Sequence, residues 1–162
     1  MIPLLSCRRL GYSYHSRDGE TQALADVSFS VNAGEFVVVV GPSGCGKSTL
    51  LSLICGLLSP EQGEIVFYNY DKTRKNGDSR TPRIGYMLQQ DHLLEWRSVY
   101  RNAMLGLELS GASNERARGY VLSMLERYHL SEFMNCMPRE LSGGMRQRVA
   151  LIRTLAPKPE LL

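Results

Sequence analysis

Apolar and polar residues alternate at period two through "DVSFSV" (26–31), the pattern of a strand with one buried and one exposed face. Three residues on, "GEFVVVV" (34–40) abandons the alternation: after a turn glycine come five consecutive apolar residues, four of them β-branched. Such a run predicts a strand covered on both faces in a parallel sheet. Glycine-rich "GPSGCG" follows at once, then "KSTLLSLICGLL" with helix-compatible leucines. Strand, glycine loop and helix in that order is the arrangement of a phosphate site.

Further along, "GEIVFY" (63–68) reads as a strand, the polar stretch 69–82 as a surface loop, and "RIGYML" (83–88) as another strand. The period then changes. In "NERARGYVLSMLERY" (114–128), Ala117, Tyr120, Val121, Met124, Leu125 and Tyr128 recur at three- and four-residue steps, predicting a helix whose tyrosines and methionine pack in a core. "PELL" (159–162), after a Pro-x-Pro turn, reads as the first step of a buried strand. A β-rich first half thus precedes a helical insertion and a return to strand.

Composition narrows the partners. The 162 residues suffice for one domain with a hydrophobic core, and 43% hydrophobic with 22% charged residues is ordinary for a soluble globular protein. A net charge of +3, from scattered basic residues, argues against nucleic acid as a partner. No apolar run approaches the roughly eighteen residues of a membrane span. "MIPLLSCRRL" lacks the charged region that opens a signal peptide. The four cysteines (Cys7, Cys45, Cys55, Cys136) show no CxxC pairing, as expected of reduced thiols in a cytosolic protein.

"GPSGCGKS" satisfies G-x-x-x-x-G-K-[ST] from Gly41 to Ser48. Gly41, Gly44 and Gly46 allow backbone conformations that a Cβ forbids, so successive amides turn toward phosphate oxygens. The following helix begins at the anion and adds its N-terminal dipole. Lys47 supplies charge to the β- and γ-phosphates and Ser48 a hydroxyl to Mg²⁺. Thr49 either binds phosphate through its hydroxyl, the reading preferred here, or caps the turn. Cys45 sits at a variable loop position and needs no catalytic role. A second motif, "LSGGMRQR" (141–148), sets Ser142 as an N-cap before two glycines and the helix "MRQRVALIRTL". Small residues at a helix start leave bare backbone for another molecule's phosphate.

With both motifs in one chain, the sequence resembles the ATP-binding subunit of an ATP-binding-cassette (ABC) transporter over essentially its whole length. It matches also at "LGYSYHSRDGETQALADVSFSVNAGEFVVVVG", "GLLSPEQGEI" and "IGYMLQQDHLLEWRSVYRN". The resemblance implies an α/β fold, a P-loop NTPase ABC-ATPase core with an antiparallel β subdomain and a helical subdomain insertion, incomplete at the C-terminus. It reads 1–162 as a single truncated domain: a β-rich ATP-binding core with the Walker A loop (1–88), the Q-loop and helical subdomain (89–140), and the signature helix with the start of the Walker B strand (141–162).

The family pattern also implies roles. ATP and Mg²⁺ are the expected ligands, with Gly41, Pro42, Ser43, Gly44, Cys45, Gly46, Lys47, Ser48 and Thr49 as the nucleotide loop. By analogy Ser142, Gly143 and Gly144 reach the γ-phosphate held by a second ATP-binding subunit. Gln89, preferred over Gln90 by its distance from Leu93, is the expected Q-loop residue, contacting Mg²⁺ and the attacking water. Tyr14, with Tyr12 two residues away, stands where the family stacks an aromatic on adenine. Lys47 and Gln89 are the catalytic candidates; Ser48 and Gln89 are the metal candidates.

"LLEWRSV" and Met145-Arg146 resemble the nitrate, sulfonate and taurine importer group, although that group usually has proline where this chain has Glu95. The implied function is the energy-coupling subunit of an importer for a small anionic solute, at the cytoplasmic face of the membrane. Permease subunits would be its partners, and a solute-binding protein an indirect one. Alternatives are an exporter, a lipoprotein-releasing or soluble ABC system, or a non-catalytic nucleotide-binding module. A P-loop GTPase is disfavoured, because no Asn-Lys-x-Asp motif is present. In the family, "P-x-L-L" runs into a Walker B Asp-Glu-Pro and later a switch histidine. None of His15, His92 and His129 follows the signature. The expectation is therefore of a chain cut within that strand and inactive alone.

Overall fold

The computed structural model describes residues 3–17, 19–68 and 82–162. The surface loop expected over 69–82 lies outside the described residues except for Pro82. The chain folds as two compact units, Met1–Thr81 and Pro82–Leu162.

The first unit is built on three strands, β1 (Leu5–Ser16), β2 (Gly19–Val31) and β3 (Gln62–Phe67), in an antiparallel sheet of order β2-β1-β3. The alternation read at 26–31 is present: Val27, Phe29 and Val31 lie inward of the exposed Asp26, Ser28 and Ser30. β1 has neighbours on both sides, with Leu5 paired to Val31 and to Phe67. That central position explains why Leu5, Ser6 and Cys7 are buried in succession. The register shifts between Cys7 and Leu10, where Arg9 takes a left-handed φ of 50°. Burial pushes the Cys7 thiol up to about 11.

Helix α1 (Lys47–Ile54) follows the glycine loop and buries Thr49, Leu50, Leu53 and Ile54. The expectation for 34–40 is corrected here. The segment carries no ladder and pairs with nothing among the described residues; Phe36 is 90% exposed, and Val37 to Val40 are exposed as well. A run of apolar residues says only that a segment suits burial on both faces. Neighbouring strands must supply that burial, and none lies beside it among the described residues.

The second unit packs three helices, α2 (Val99–Leu109), α3 (Glu115–Arg127) and α4 (Gly143–Leu155). Val99, Ala103, Met104 and Leu107 of α2 meet Val121, Met124 and Leu125 of α3 and Val149, Ala150 and Ile152 of α4 in one core. Asn114 and Ser142 are N-caps, accepting from the amides of Ala117 (2.9 Å) and Met145 (3.3 Å). Tyr120 corrects the core assignment of the 114–128 face: it is exposed, with the Lys158 ammonium 4.9 Å from its ring centre. The strand expected at 83–88 reduces to one parallel bridge, Ile84 to Leu161, with the Gly85 amide donating to the Leu161 carbonyl at 2.8 Å. The strand read at "PELL" likewise contributes only this bridge, at Leu161.

One polar side chain organises the approach to α2. Asn102 is fully buried. Its Oδ1 accepts from the Leu94 amide (2.8 Å), and its Nδ2 donates to the carbonyls of Leu94 (3.1 Å), Arg97 (2.8 Å) and Ser98 (3.1 Å). Asn102→Ala would strand these groups, and a loss of about 2–4 kcal/mol in unfolding free energy is expected. Urea denaturation checks it; a loss below about 0.5 kcal/mol would show that the loop does not depend on this side chain.

Candidate functional site

The glycine loop of the first unit has the properties of an anion cradle. Gly44 and Gly46 adopt left-handed φ values of 81° and 90°. A Cβ on Gly46 would lie 2.3 Å from the Ala23 carbonyl oxygen on β2, so only glycine lets the helix start so close to the strand. Gly46 is the N-cap of α1, no side chain caps the helix, and its first turn has no acidic residue. The amides of Lys47, Ser48 and Thr49 therefore have no intrahelical acceptor, and their partial positive charge faces outward.

Lys47 folds back over its own loop. Its Nζ donates to the carbonyls of Gly41 (2.8 Å) and Pro42 (2.6 Å), with Cys45 Sγ at 3.5 Å. Among the described residues it has no carboxylate within ion-pair distance. The charge is thus held at the loop and left unneutralised. Ser48 is exposed. This donor set fits a polyphosphate with its cation: main-chain amides and an ammonium for the oxygens, and an accessible hydroxyl for a hard metal ion.

Tyr14 is 47% exposed, and its hydroxyl lies 3.2 Å from Thr49 Oγ1. The strand thereby delivers an aromatic ring to the first turn of α1. Tyr12 meets that ring edge-on at 5.1 Å, as two residues on one strand face should. Thr49 is only 7% exposed. Its hydroxyl shares a hydrogen bond with Tyr14, with further hydrogen-bonding capacity on the oxygen.

The second unit assembles Gln89 with the "LSGG" turn. Ser142, Gly143 and Gly144 are all exposed at the start of α4. A Cβ built on either glycine would meet nothing within 4 Å. Among the described residues, nothing requires these glycines to be small. Gln89 is exposed, and its carbonyl accepts from Gln147 Nε2 of α4 at 3.0 Å.

Residues that the sequence reading did not single out as functional surround this pair. Arg146 of α4 grips Asp91 with Nε (2.9 Å) and Nη2 (3.0 Å) and reaches Glu95 Oε1 at 2.8 Å. Arg153 donates to the carbonyls of His92 (2.8 Å) and Asp91 (2.6 Å). The Arg146 hydrogen bonds hold the Asp91 carboxyl below the usual carboxylate range against the opposing effect of burial, and Asp91 in turn raises Arg146. Burial lowers Arg153. The seven-residue spacing of Arg146 and Arg153 in "MRQRVALIRTL" was the available signal, since it sets both on one helix face.

Residues 24–162 match the family model described as ABC transporter. An uncharacterized ABC transporter ATP-binding protein of Bacillus subtilis is 42% identical over 151 residues, 93% of this chain and 56% of the relative. The taurine import ATP-binding protein of Yersinia pestis is 44% identical over 140 residues, 86% of this chain and 53% of the relative. The lipoprotein-releasing system ATP-binding protein of Colwellia psychrerythraea is 37% identical over 166 residues, 100% of this chain and 64% of the relative. Among solved structures, a dimeric bacterial ABC transporter cassette superposes with a TM-score of 0.78 at 33% identity, covering 96% of this chain and 70% of that one. The chain spans about half the length of the first two of these relatives.

Proposed function

The chain belongs to the ABC transporter family, and on that premise we propose that it is the ATP-binding, energy-coupling part of a transporter, working as one of two nucleotide-binding subunits. The observation that carries the reading is the cradle at residues 41–49: uncapped amides beside an ammonium with no carboxylate partner among the described residues. Lys47 holds the β- and γ-phosphates, and the amides of Gly44, Gly46, Lys47, Ser48 and Thr49 meet their oxygens. Ser48 would offer its hydroxyl to Mg²⁺, and Gln89 of the second unit is, by the family pattern, a separate candidate for Mg²⁺ and the attacking water. Bound Mg²⁺ supplies charge neutralisation on the phosphates. Tyr14, exposed beside α1, offers its ring face to adenine.

Ser142, Gly143 and Gly144 act on a nucleotide held by the second subunit. Their support is the open space where each glycine's Cβ would stand, together with the dimeric cassette among the structural relatives. Permease subunits are the remaining direct partners, at the cytoplasmic face of a membrane, with a solute-binding protein acting through them. No described helix is long and apolar enough to cross a membrane itself. Import of a small anionic solute is the favoured direction and cargo. It draws on the taurine import relative, while the lipoprotein-releasing relative makes export the second reading.

Two measurements on the full-length protein test this. Lys47→Ala removes a charge-assisted contact of about 1.5–3 kcal/mol, so ATP affinity should fall roughly tenfold to a hundredfold by calorimetry. Unchanged affinity would refute the cradle. Gly143→Trp should leave each subunit's ATP affinity intact while abolishing ATP-dependent dimerisation of a hydrolysis-blocked protein in sedimentation. Equal dimerisation of both proteins would remove the role across the interface.

A further inference from the structure

Helix α4 does more in this structure than present the "LSGG" turn. Three of its side chains, Arg146, Gln147 and Arg153, reach the segment 89–95 and hold it at separate points. Gln147 takes the Gln89 carbonyl, Arg146 takes the carboxylates of Asp91 and Glu95, and Arg153 takes the Asp91 and His92 carbonyls. Asp91 Oδ1 also accepts from the Leu93 amide at 3.0 Å, so one carboxylate ties the helix to the turn of the segment.

The segment is not relaxed under this grip. His92 has a φ of 44°, a conformation that costs a non-glycine residue roughly 1 kcal/mol and persists only where surrounding contacts enforce it. The enforcing contacts are visible: the carbonyls of the two peptide units that flank the His92 Cα are held by one guanidinium. The Asp91–Arg146 pair is largely withdrawn from water, with side chains 18% and 25% exposed, so it is better sheltered from screening than a surface pair. Downstream, Leu93 enters the core and Asn102 fixes residues 94–98.

We propose that Asp91, Arg146 and Arg153 form a clamp that makes Gln89 and the Ser142–Gly143–Gly144 turn one rigid piece, so that engagement of the turn by a second subunit sets the position of Gln89. This rests on the functional reading above and deepens it. The three are positioning residues: they act through the Gln89 backbone and the helix that starts at the turn. The segment has a strained arrangement that the clamp enforces and a relaxed one that it forbids, and loss of the clamp shifts the balance to the second.

The test uses the full-length protein with Asp91→Asn, Arg146→Met, the milder Arg146→Lys, and the charge-exchanged pair Asp91→Arg with Arg146→Asp. Because nucleotide is held by residues 41–49, ATP affinity should stay within about twofold in all of them. Turnover should fall roughly tenfold to a hundredfold in the first two, as expected when a catalytic group is misplaced by about an ångström. Arg146→Lys should lose less, and the exchanged pair, which restores the 91–146 ion pair but neither the Glu95 contact nor the Leu93 acceptor, should recover part of the loss. Trp96, this sequence's one tryptophan, is 77% exposed next to Glu95 and gives a readout independent of turnover. Labelled as 5-fluorotryptophan and assigned by its loss in Trp96→Phe, its ¹⁹F line should narrow in the first two variants and broaden part of the way back toward wild type in the exchanged pair. Folded single variants with wild-type turnover and an unchanged Trp96 line would overturn the clamp. So would a loss that the exchanged pair, itself folded, fails to recover even in part on the Trp96 line. If the wild type bound no ATP, the functional reading would fall, and the Trp96 comparison would still decide the clamp.

Discussion

Gly46 stands where three elements meet with no room to spare. Its φ of 90° turns the chain from loop into helix, and the space its Cβ would occupy is filled by the Ala23 carbonyl oxygen of β2. That approach ties the loop to the sheet and fixes where α1 begins. Because α1 begins there, with no side chain over its first amides, the donors of Lys47, Ser48 and Thr49 stay available. Tyr14, bonded to Thr49, is then delivered to the same place by β1. The cradle, its charge and its neighbouring ring all follow from one contact too close for any other residue.

The second unit uses a different device. Its hydrophobic core sets three helices together, but an apolar contact is non-directional and cannot orient a loop. Orientation comes from polar side chains that each hold several groups: Asn102 the main chain of residues 94–98, Arg153 the carbonyls of Asp91 and His92, and Arg146 the carboxylates of Asp91 and Glu95. Among the described residues, no buried side-chain nitrogen or oxygen lacks a partner. Such networks are costly to leave half-made, which is what gives the loop one conformation.

Features that are local in sequence were legible from it. The Ser142 cap and the one-sided strand at 26–31 depend on neighbours a few residues away, and the structure has both as read. Features set by distant partners were not. The run at 34–40 announces a preference for burial and nothing about which strands supply it. Tyr120 falls on the periodic face of α3 yet lies at its margin, against Lys158 rather than in the core. β1 escaped the period-two test because a central strand with a bulge at Arg9 does not alternate. Arg146 and Arg153 read as ordinary polar positions of an amphipathic helix. Their meaning depends on carboxylates and carbonyls more than fifty residues earlier.

On the proposed function, the loop at 41–49 recognises polyphosphate through uncapped amides and the Lys47 ammonium, with the aromatic contribution secondary. Calorimetric titration of the full-length protein with Mg²⁺ and ATP, ADP or adenosine separates the two directly. Each charge-assisted contact contributes about 1.5–3 kcal/mol and stacking about 1 kcal/mol. ATP and ADP should therefore bind at least about a hundredfold tighter than adenosine. Adenosine binding as tightly as ATP would contradict the claim and move the site's affinity from the cradle to Tyr14.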